Sequence, residues 1–336
     1  MSEITLSLGM ADYDRTAPLR NGQVKPEGFS LNYVVSPPSE TFWRMLRFEE
    51  FDTSEMSMSS YLISRQNRKK WLAIPVFPFR SLFHSNIFVN KDAGINSPED
   101  LIGRKFGLPE YQVTAALWLR GTLEHEFGVK PSQMKWYVER QRNLSHGGET
   151  GFKAPSGVSI NQVSEGNTLV NLLERGELDA IMPSPYPGMR SMLNKTDYLS
   201  FSKYSKIKPL FDDPLTEGKR YYKKNGFTHI NHTVIVKENI LSKYQWVPLN
   251  LLKAFQESKE IAYSHRDQLL RSSLMFAYSY MRKEQEIFGE DLYPYGYEAN
   301  KKAIETLVEY SIEQELTKKS VDPEELFVES TRLAKI

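Results

Sequence analysis

Cysteine is missing from all 336 residues. That absence excludes disulfides, thiolate metal sites, iron–sulfur clusters and a cysteine nucleophile, while leaving the compartment open. A surplus of either charge is missing too: 43 Lys and Arg face 42 Asp and Glu, for a net charge of +1. No nucleic-acid surface and no polybasic membrane contact is therefore expected. No run approaches the roughly 18 apolar residues of a membrane span, and there is no repeat, heptad array or low-complexity tract. P-loop, dinucleotide fingerprint, zinc spacing and G-x-S-x-G elbow are all absent, so neither a cofactor nor a metal is expected. The opening "MSEITLSLGMADYD" passes straight into a strand pattern with none of the marks of a secretion signal. The expectation is a cytoplasmic protein, although a mature chain stripped of its leader would read the same.

What is present is an alternation of short strands and helices, the pattern of parallel α/β sheets. A chain of this length divides into two lobes more readily than it builds one core. Strands are predicted at "ITLSLGM", "SLNYVV", "TSEMSMS", "LAIPVF" and "NIFVN", interleaved with helices at "SETFWRMLRF" and "YLISRQN". A second lobe is predicted to start at "SPEDLIGRKFGLP", where Ser97, Pro98 and Asp100 form a capping-box start and Gly103 a stop. Its parts are the strand "KFGLP", the helix "TAALWLRGTLEHEF", the strand "KWYV", a long irregular loop over 140–158, and the helix and strand of "NTLVNLLERGELDAIMPS". Strand character resumes at "HINHTVIVK", and the remainder is helical. The predicted division is 1–96 plus 231–336 for the first lobe with its C-terminal helices, and 97–230 for the second. Two crossings would leave a cleft suited to a small ligand.

Candidate site residues come from polar groups at strand ends and helix starts, where open α/β sheets hold ligands. Arg15 follows the first strand, and Glu55 and Ser57 lie where the third gives way to a helix. Thr114 opens a long helix whose free amides favour an anion, and Arg120 lies further along it. In "FPFRSLFHSNIFVN" a fixed cation and an imidazole interrupt an apolar tract. If extended, Arg80 and His84 share a face with Cα atoms roughly 13 Å apart. An unpaired buried guanidinium is costly, so an anionic ligand is one expected partner for Arg80. His229 and His232 fall three apart, on opposite faces of a strand, which argues against shared metal ligation. Each residue also has a structural reading: Thr114 as a cap, Arg120 in a salt bridge, Arg15 as a solvated charge, His84 as a core histidine, His232 as a hinge residue.

Two of these tracts, "SPEDLIGRKFGLP" and "NTLVNLLERGELDAIM", resemble the second lobe of type II periplasmic binding proteins. The set "DYDRTAPLRNG", "PVFPFRSLFHSNIFVN", "TAALWLRGTL", "NHTVIVKENIL", "QWVPLNLLKAF" and "EDLYPYGYEANKKAIETLVEY" is similar to the 4,5-dihydroxyphthalate decarboxylase family, in order and over nearly the whole chain. The resemblance implies an α/β, type II periplasmic-binding-protein-like fold with a helical C-terminal portion. It also implies a cofactor-independent carboxy-lyase of aromatic compound catabolism and phthalate degradation, acting on a small aromatic carboxylate. Under it His84 or His232 would be the general acid and Glu55 a base for the phenol. Arg80 would hold a carboxylate in a forked pair, while Arg15, Ser57, Thr114 and Arg120 complete an anion site. Phe83 stands where the family pattern has a basic residue, so a monocarboxylated catechol stays open beside a dicarboxylate. The runner-up is a solute-binding protein that delivers an organic anion to a transporter, and a sensor or pyrimidine-precursor protein on the same fold ranks third. Monomer and homo-oligomer are both left open.

Overall fold

In a computed structural model, residues 4–67, 69–184, 193–196, 203–318 and 321–336 are described. They contain the strands β1 (Ile4–Met10), β2 (Phe29–Val35), β3 (Thr53–Ser57), β4 (Leu72–Ile74), β5 (Phe88–Asn90), β6 (Lys105–Leu108), β7 (Lys135–Val138), β8 (Ser159–Gln162), β9 (Ala180–Ile181), β10 (Ile207–Pro209) and β11 (His232–Val236). Two sheets result, ordered β2-β1-β3-β11-β4 and β10-β5-β9-β6-β7-β8. β1, β2 and β3 run parallel, as do β6 to β9, which is what helical crossovers between consecutive strands produce. β11 enters antiparallel between β3 and β4 and buries all five residues, so both its faces are covered.

The first crossing differs from the sequence expectation. β5 pairs with β9 and β10 in the second sheet, so the chain has left the first lobe before Phe88 and not at 97. The reason lies in residues 77–87, the apolar tract between the predicted strands "LAIPVF" and "NIFVN". Arg80 makes only an isolated bridge to Ile230, and Phe83–Asn86 closes into a 3-10 turn. Ser81 N–H donates to the His229 carbonyl at 3.3 Å and Asn231 N–H to that of Phe79 at 3.0 Å, which binds the outward and returning crossings to each other. The capping-box start at Ser97 is a short 3-10 turn, Pro98–Leu101, with Asp100 accepting from the Ser97 amide at 2.9 Å.

The C-terminal helices do not all return to the first lobe. Helix Lys301–Glu313 lies against the second-lobe helix Thr114–Phe127, where a Cβ on Gly121 would overlap the Tyr310 ring, so only glycine permits that approach. Trp118 of the same helix donates its indole N–H to the Ile230 carbonyl at 2.7 Å, tying it to the crossing. Among the described residues no helix is long and apolar enough to cross a membrane.

Candidate active site

Between the sheets, the C-terminal ends of β3, β6 and β7 and the start of helix Thr114–Phe127 converge on a cleft. Its wall includes Ser57, Thr114, Arg140, His146, Asn194 and His232, with Phe42, Val113 and Met182 as apolar surface. This is where the C-terminal ends of parallel strands place a ligand.

Glu55 sits in β3 two residues before Ser57, fully buried. Its carboxylate accepts from the Ala11 amide at 3.0 Å and the Tyr13 hydroxyl at 2.6 Å, and Oε1 lies 2.5 Å from His232 Nδ1. Glu55 pairs with Val234 across the ladder, so the residue two before Val234 presents its ring to the same face. The carboxylate takes the Nδ1–H, and Asn231 Nδ2 donates to Nε2 at 3.0 Å. The ring packs edge-on against Phe42, centroids 4.7 Å apart. Glu55 thus does not face the cleft as a base for a phenol, the role expected of it. Its carboxylate instead fixes the first turn after β1 and orients His232.

Ser57 Oγ and Thr114 Oγ1 lie 2.8 Å apart, and Thr114 Oγ1 accepts from the Ser59 amide at 3.0 Å. The two lobes meet at this hydroxyl pair, beside a helix start that carries no side-chain cap. Amides of such a first turn favour an anion. Two further residues escaped the sequence reading. Arg140, two residues past β7, forms an ion pair with Glu110 at 2.5 Å and donates through Nη2 to Asn194 at 2.7 Å. A place just beyond a strand end is the signal that marks it. His146 sits in the loop predicted to be irregular, where residues His146–Thr150 form a helical turn capped by Ser145. Its Nε2–H donates to the Ser39 carbonyl at 2.8 Å, while Nδ1 has no hydrogen-bond partner among the described residues. Burial, reinforced by Arg140, pushes His146 down to about 3, so it is a neutral ring with an open acceptor.

Four expected site residues lie elsewhere. His84 is fully buried among Phe211, Tyr221 and His229, with Nε2 2.8 Å from Glu217. Burial lowers its pKa, so it donates as a neutral ring. Burial alone would raise Glu217, but hydrogen bonds from His84 and Arg220 outweigh it and hold that carboxylate at about 2. Arg120 has no exposed surface. Its guanidinium stacks 3.7 Å over Tyr111 and donates to Gln314 and the Tyr111 carbonyl, and it does not line the cleft. Arg15 pairs with Asp14 at 2.7 Å and stacks 3.6 Å over Tyr293. Arg80 donates to Asn300 and the Pro294 carbonyl, behind the crossing. The tract is extended only around the Arg80–Ile230 bridge and turns at Phe83–Asn86, so Arg80 and His84 do not share a face toward the cleft. His229, the other histidine of "HINH", stacks flat on Trp118 at 4.4 Å, away from His232. Among the described residues no three His, Asp or Glu gather as metal ligands.

A curated protein of Comamonas testosteroni named 4,5-dihydroxyphthalate decarboxylase is 32% identical over 331 residues, which is 97% of each chain. This chain belongs to that family. A Pseudomonas putida protein of the same name is 31% identical over 229 residues, covering 68% of this chain and 85% of that one. Residues 53–170, which carry Glu55, Ser57, Thr114, Arg140 and His146, match the NMT1/THI5-like family. Among solved structures, the periplasmic aliphatic sulphonate binding protein SsuA of Escherichia coli superimposes with a TM-score of 0.59 at 13% identity, over 99% of this chain and 100% of that one. A DSZB mutant in complex with biphenyl-2-sulfinic acid gives 0.55 at 12% identity, over 98% and 99%. These likenesses give the decarboxylase family member a periplasmic-binding-protein fold of two α/β lobes.

Proposed function

We propose that the chain is a non-oxidative decarboxylase of a hydroxylated aromatic acid of the 4,5-dihydroxyphthalate type, with His232 as the proton donor. The observation that carries this reading is the buried Glu55–His232 couple, which sets an imidazole against the cleft. Protonation at Nε2, with the Asn231 amide turned away from the donor orientation it holds here, gives an imidazolium that the Glu55 carboxylate stabilises and orients. Nε2 then delivers its proton to the ring carbon that bears the departing carboxylate. The ring–carboxylate bond breaks, CO2 leaves, and the aromatic sextet is restored. The step balances with no cofactor. In 4,5-dihydroxyphthalate each carboxylate lies para to one hydroxyl, whose electrons stabilise the ring as the proton arrives.

His146 serves the phenol as an acceptor and not as a base, because a ring that titrates near 3 holds a proton too weakly to take one from a phenol. Arg140, with Asn194, and the Ser57–Thr114 hydroxyls beside the helix start supply the anion contacts for the carboxylates. Phe42, Val113 and Met182 keep water from the carboxylate that becomes neutral CO2. The cleft holds a cavity of about 50 Å³, a third of the roughly 150 Å³ that accommodates benzene. Substrate entry therefore requires the Ser57–Thr114 and Ser39–His146 contacts between the lobes to part.

The test is incubation with 4,5-dihydroxyphthalate and with mono-carboxylated catechols, following CO2 and the ring protons by NMR. The expected product from the dicarboxylate is 3,4-dihydroxybenzoate, with deuterium at the vacated carbon when the solvent is D2O. Tight binding of these acids with no CO2 from any of them overturns the proposal in favour of a solute-binding role.

A further inference from the structure

Behind the crossing, on the side away from the cleft, lies a second cavity of about 690 Å³ that shares no lining residue with the first. Arg80 lines it, yet only 8% of the residue is exposed. Its partners are neutral: the Pro294 carbonyl, the Asn300 amide oxygen, and Thr228 Oγ1 at a long 3.4 Å from Nη1. Nε has no hydrogen bond, and no carboxylate among the described residues lies within ion-pair distance of the guanidinium, whereas Arg15 has Asp14 and Lys259 has Asp291. A nearly buried cation with its hydrogen bonds mostly met, and with its nearest acting negative charge, Asp291, beyond ion-pair distance and already paired with Lys259, leaves room for an anion. Ser81, Ser85 and Thr228 add hydroxyls to the wall, while Tyr293, Phe288 and Leu82 add aromatic and apolar surface. Of the other charges there, Asp213 is engaged in capping its helix through Leu215 and Thr216, and Glu284 and Lys283 lie exposed.

We infer that this rear cavity is a second binding site, for a small aromatic carboxylate held by Arg80, and that its occupancy is felt at His232. The coupling follows from the backbone. Phe79 and Arg80 are successive residues of the outgoing crossing, so their side chains leave in opposite directions. Phe79 packs 5.9 Å from the His232 ring, and Arg80 enters the rear cavity. The Arg80–Ile230 bridge, with the flanking bonds from Ser81 to His229 and from Asn231 to Phe79, carries a displacement of Arg80 into the returning crossing that bears His232. The inference does not require the decarboxylase reading, since binding behind the crossing is measurable without turnover.

The probe is 4-bromobenzoate. Crystals of the full chain soaked with it are expected to show an anomalous bromine peak in the rear cavity, with the carboxylate at Arg80. A peak confined to the front cleft, or no peak, overturns the inference. In solution, titration followed by NMR of a label on the Phe79 ring is expected to show saturable shifts. Arg80→Gln is expected to weaken that binding by about tenfold or more, the loss of a charge-assisted pair, while Thr114→Val, at the front, leaves it unchanged. Unaltered affinity in Arg80→Gln sinks the proposal. Should that variant fail to fold, Thr228→Val is expected to reduce affinity at the same site, and the crystal soak decides independently of either.

Discussion

His232 Nδ1 lies 2.5 Å from Glu55 Oε1, across two antiparallel strands that both end at the cleft. A carboxylate with no exposed surface has been brought to one edge of an imidazole that lines the cleft and whose other nitrogen accepts from Asn231. The arrangement depends on β11 entering the first sheet next to β3, residues some 177 positions apart in sequence.

His232→Asn is expected to lower kcat by about 10²–10⁴-fold, the usual worth of a positioned acid, while substrate binding by calorimetry stays close to wild type. Glu55→Gln keeps the shape and loses the charge that stabilises the imidazolium, so kcat falls with little change in KM. A fully active His232→Asn enzyme rules out His232 as the donor.

Arg140→Met leaves Glu110 buried with its charge uncompensated, and a loss of about 3–5 kcal/mol in unfolding free energy is expected. Adding Glu110→Gln restores most of that stability, because the orphaned charge is gone. KM stays raised in the double variant if Arg140 meets a substrate carboxylate. Recovery of KM along with stability means that Arg140 serves the fold alone.

Arg120→Ala is expected to cost about 2–4 kcal/mol through lost stacking and hydrogen bonds while leaving kcat/KM of the folded enzyme unchanged. Chemical denaturation beside steady-state kinetics separates the two effects. A selective rise in KM restores Arg120 to the substrate site.

Acid sensitivity follows from three histidines. Burial pushes His84, His146 and His229 below their ordinary range. A group whose pKa is lower folded than unfolded binds more protons when unfolded, so stability falls as pH drops below about 6.5. An imidazole that stays neutral to pH 5 contributes a loss of about 2 kcal/mol over that interval. Calorimetry from pH 8 to 5 is expected to show a steady fall in Tm below 6.5, shallower in His229→Phe. A Tm that is flat across this range contradicts the assignment of these rings as neutral.

The family, the two-lobed α/β architecture and most strands and helices were legible in the sequence because they rest on local signals. Thr114–Phe127 keeps its predicted limits, since its helix-favouring run and its Gly128 stop are properties of one segment. Ser57, Thr114 and His232 were likewise found from their places at strand ends and a helix start, and all three line the cleft. Arg80, His84 and Arg120 lie away from the cleft for a shared reason: a charge in an apolar run shows that the group is buried but not what it faces. His84 meets Glu217, 133 residues away, Arg120 meets Tyr111, and Arg80 meets Asn300, 220 residues away, beside the rear cavity. Local periodicity settles which residues leave water. Only the folding of distant segments onto one another decides whether a buried polar group meets protein or a cavity, because that depends on contacts between segments and not on any pattern within one.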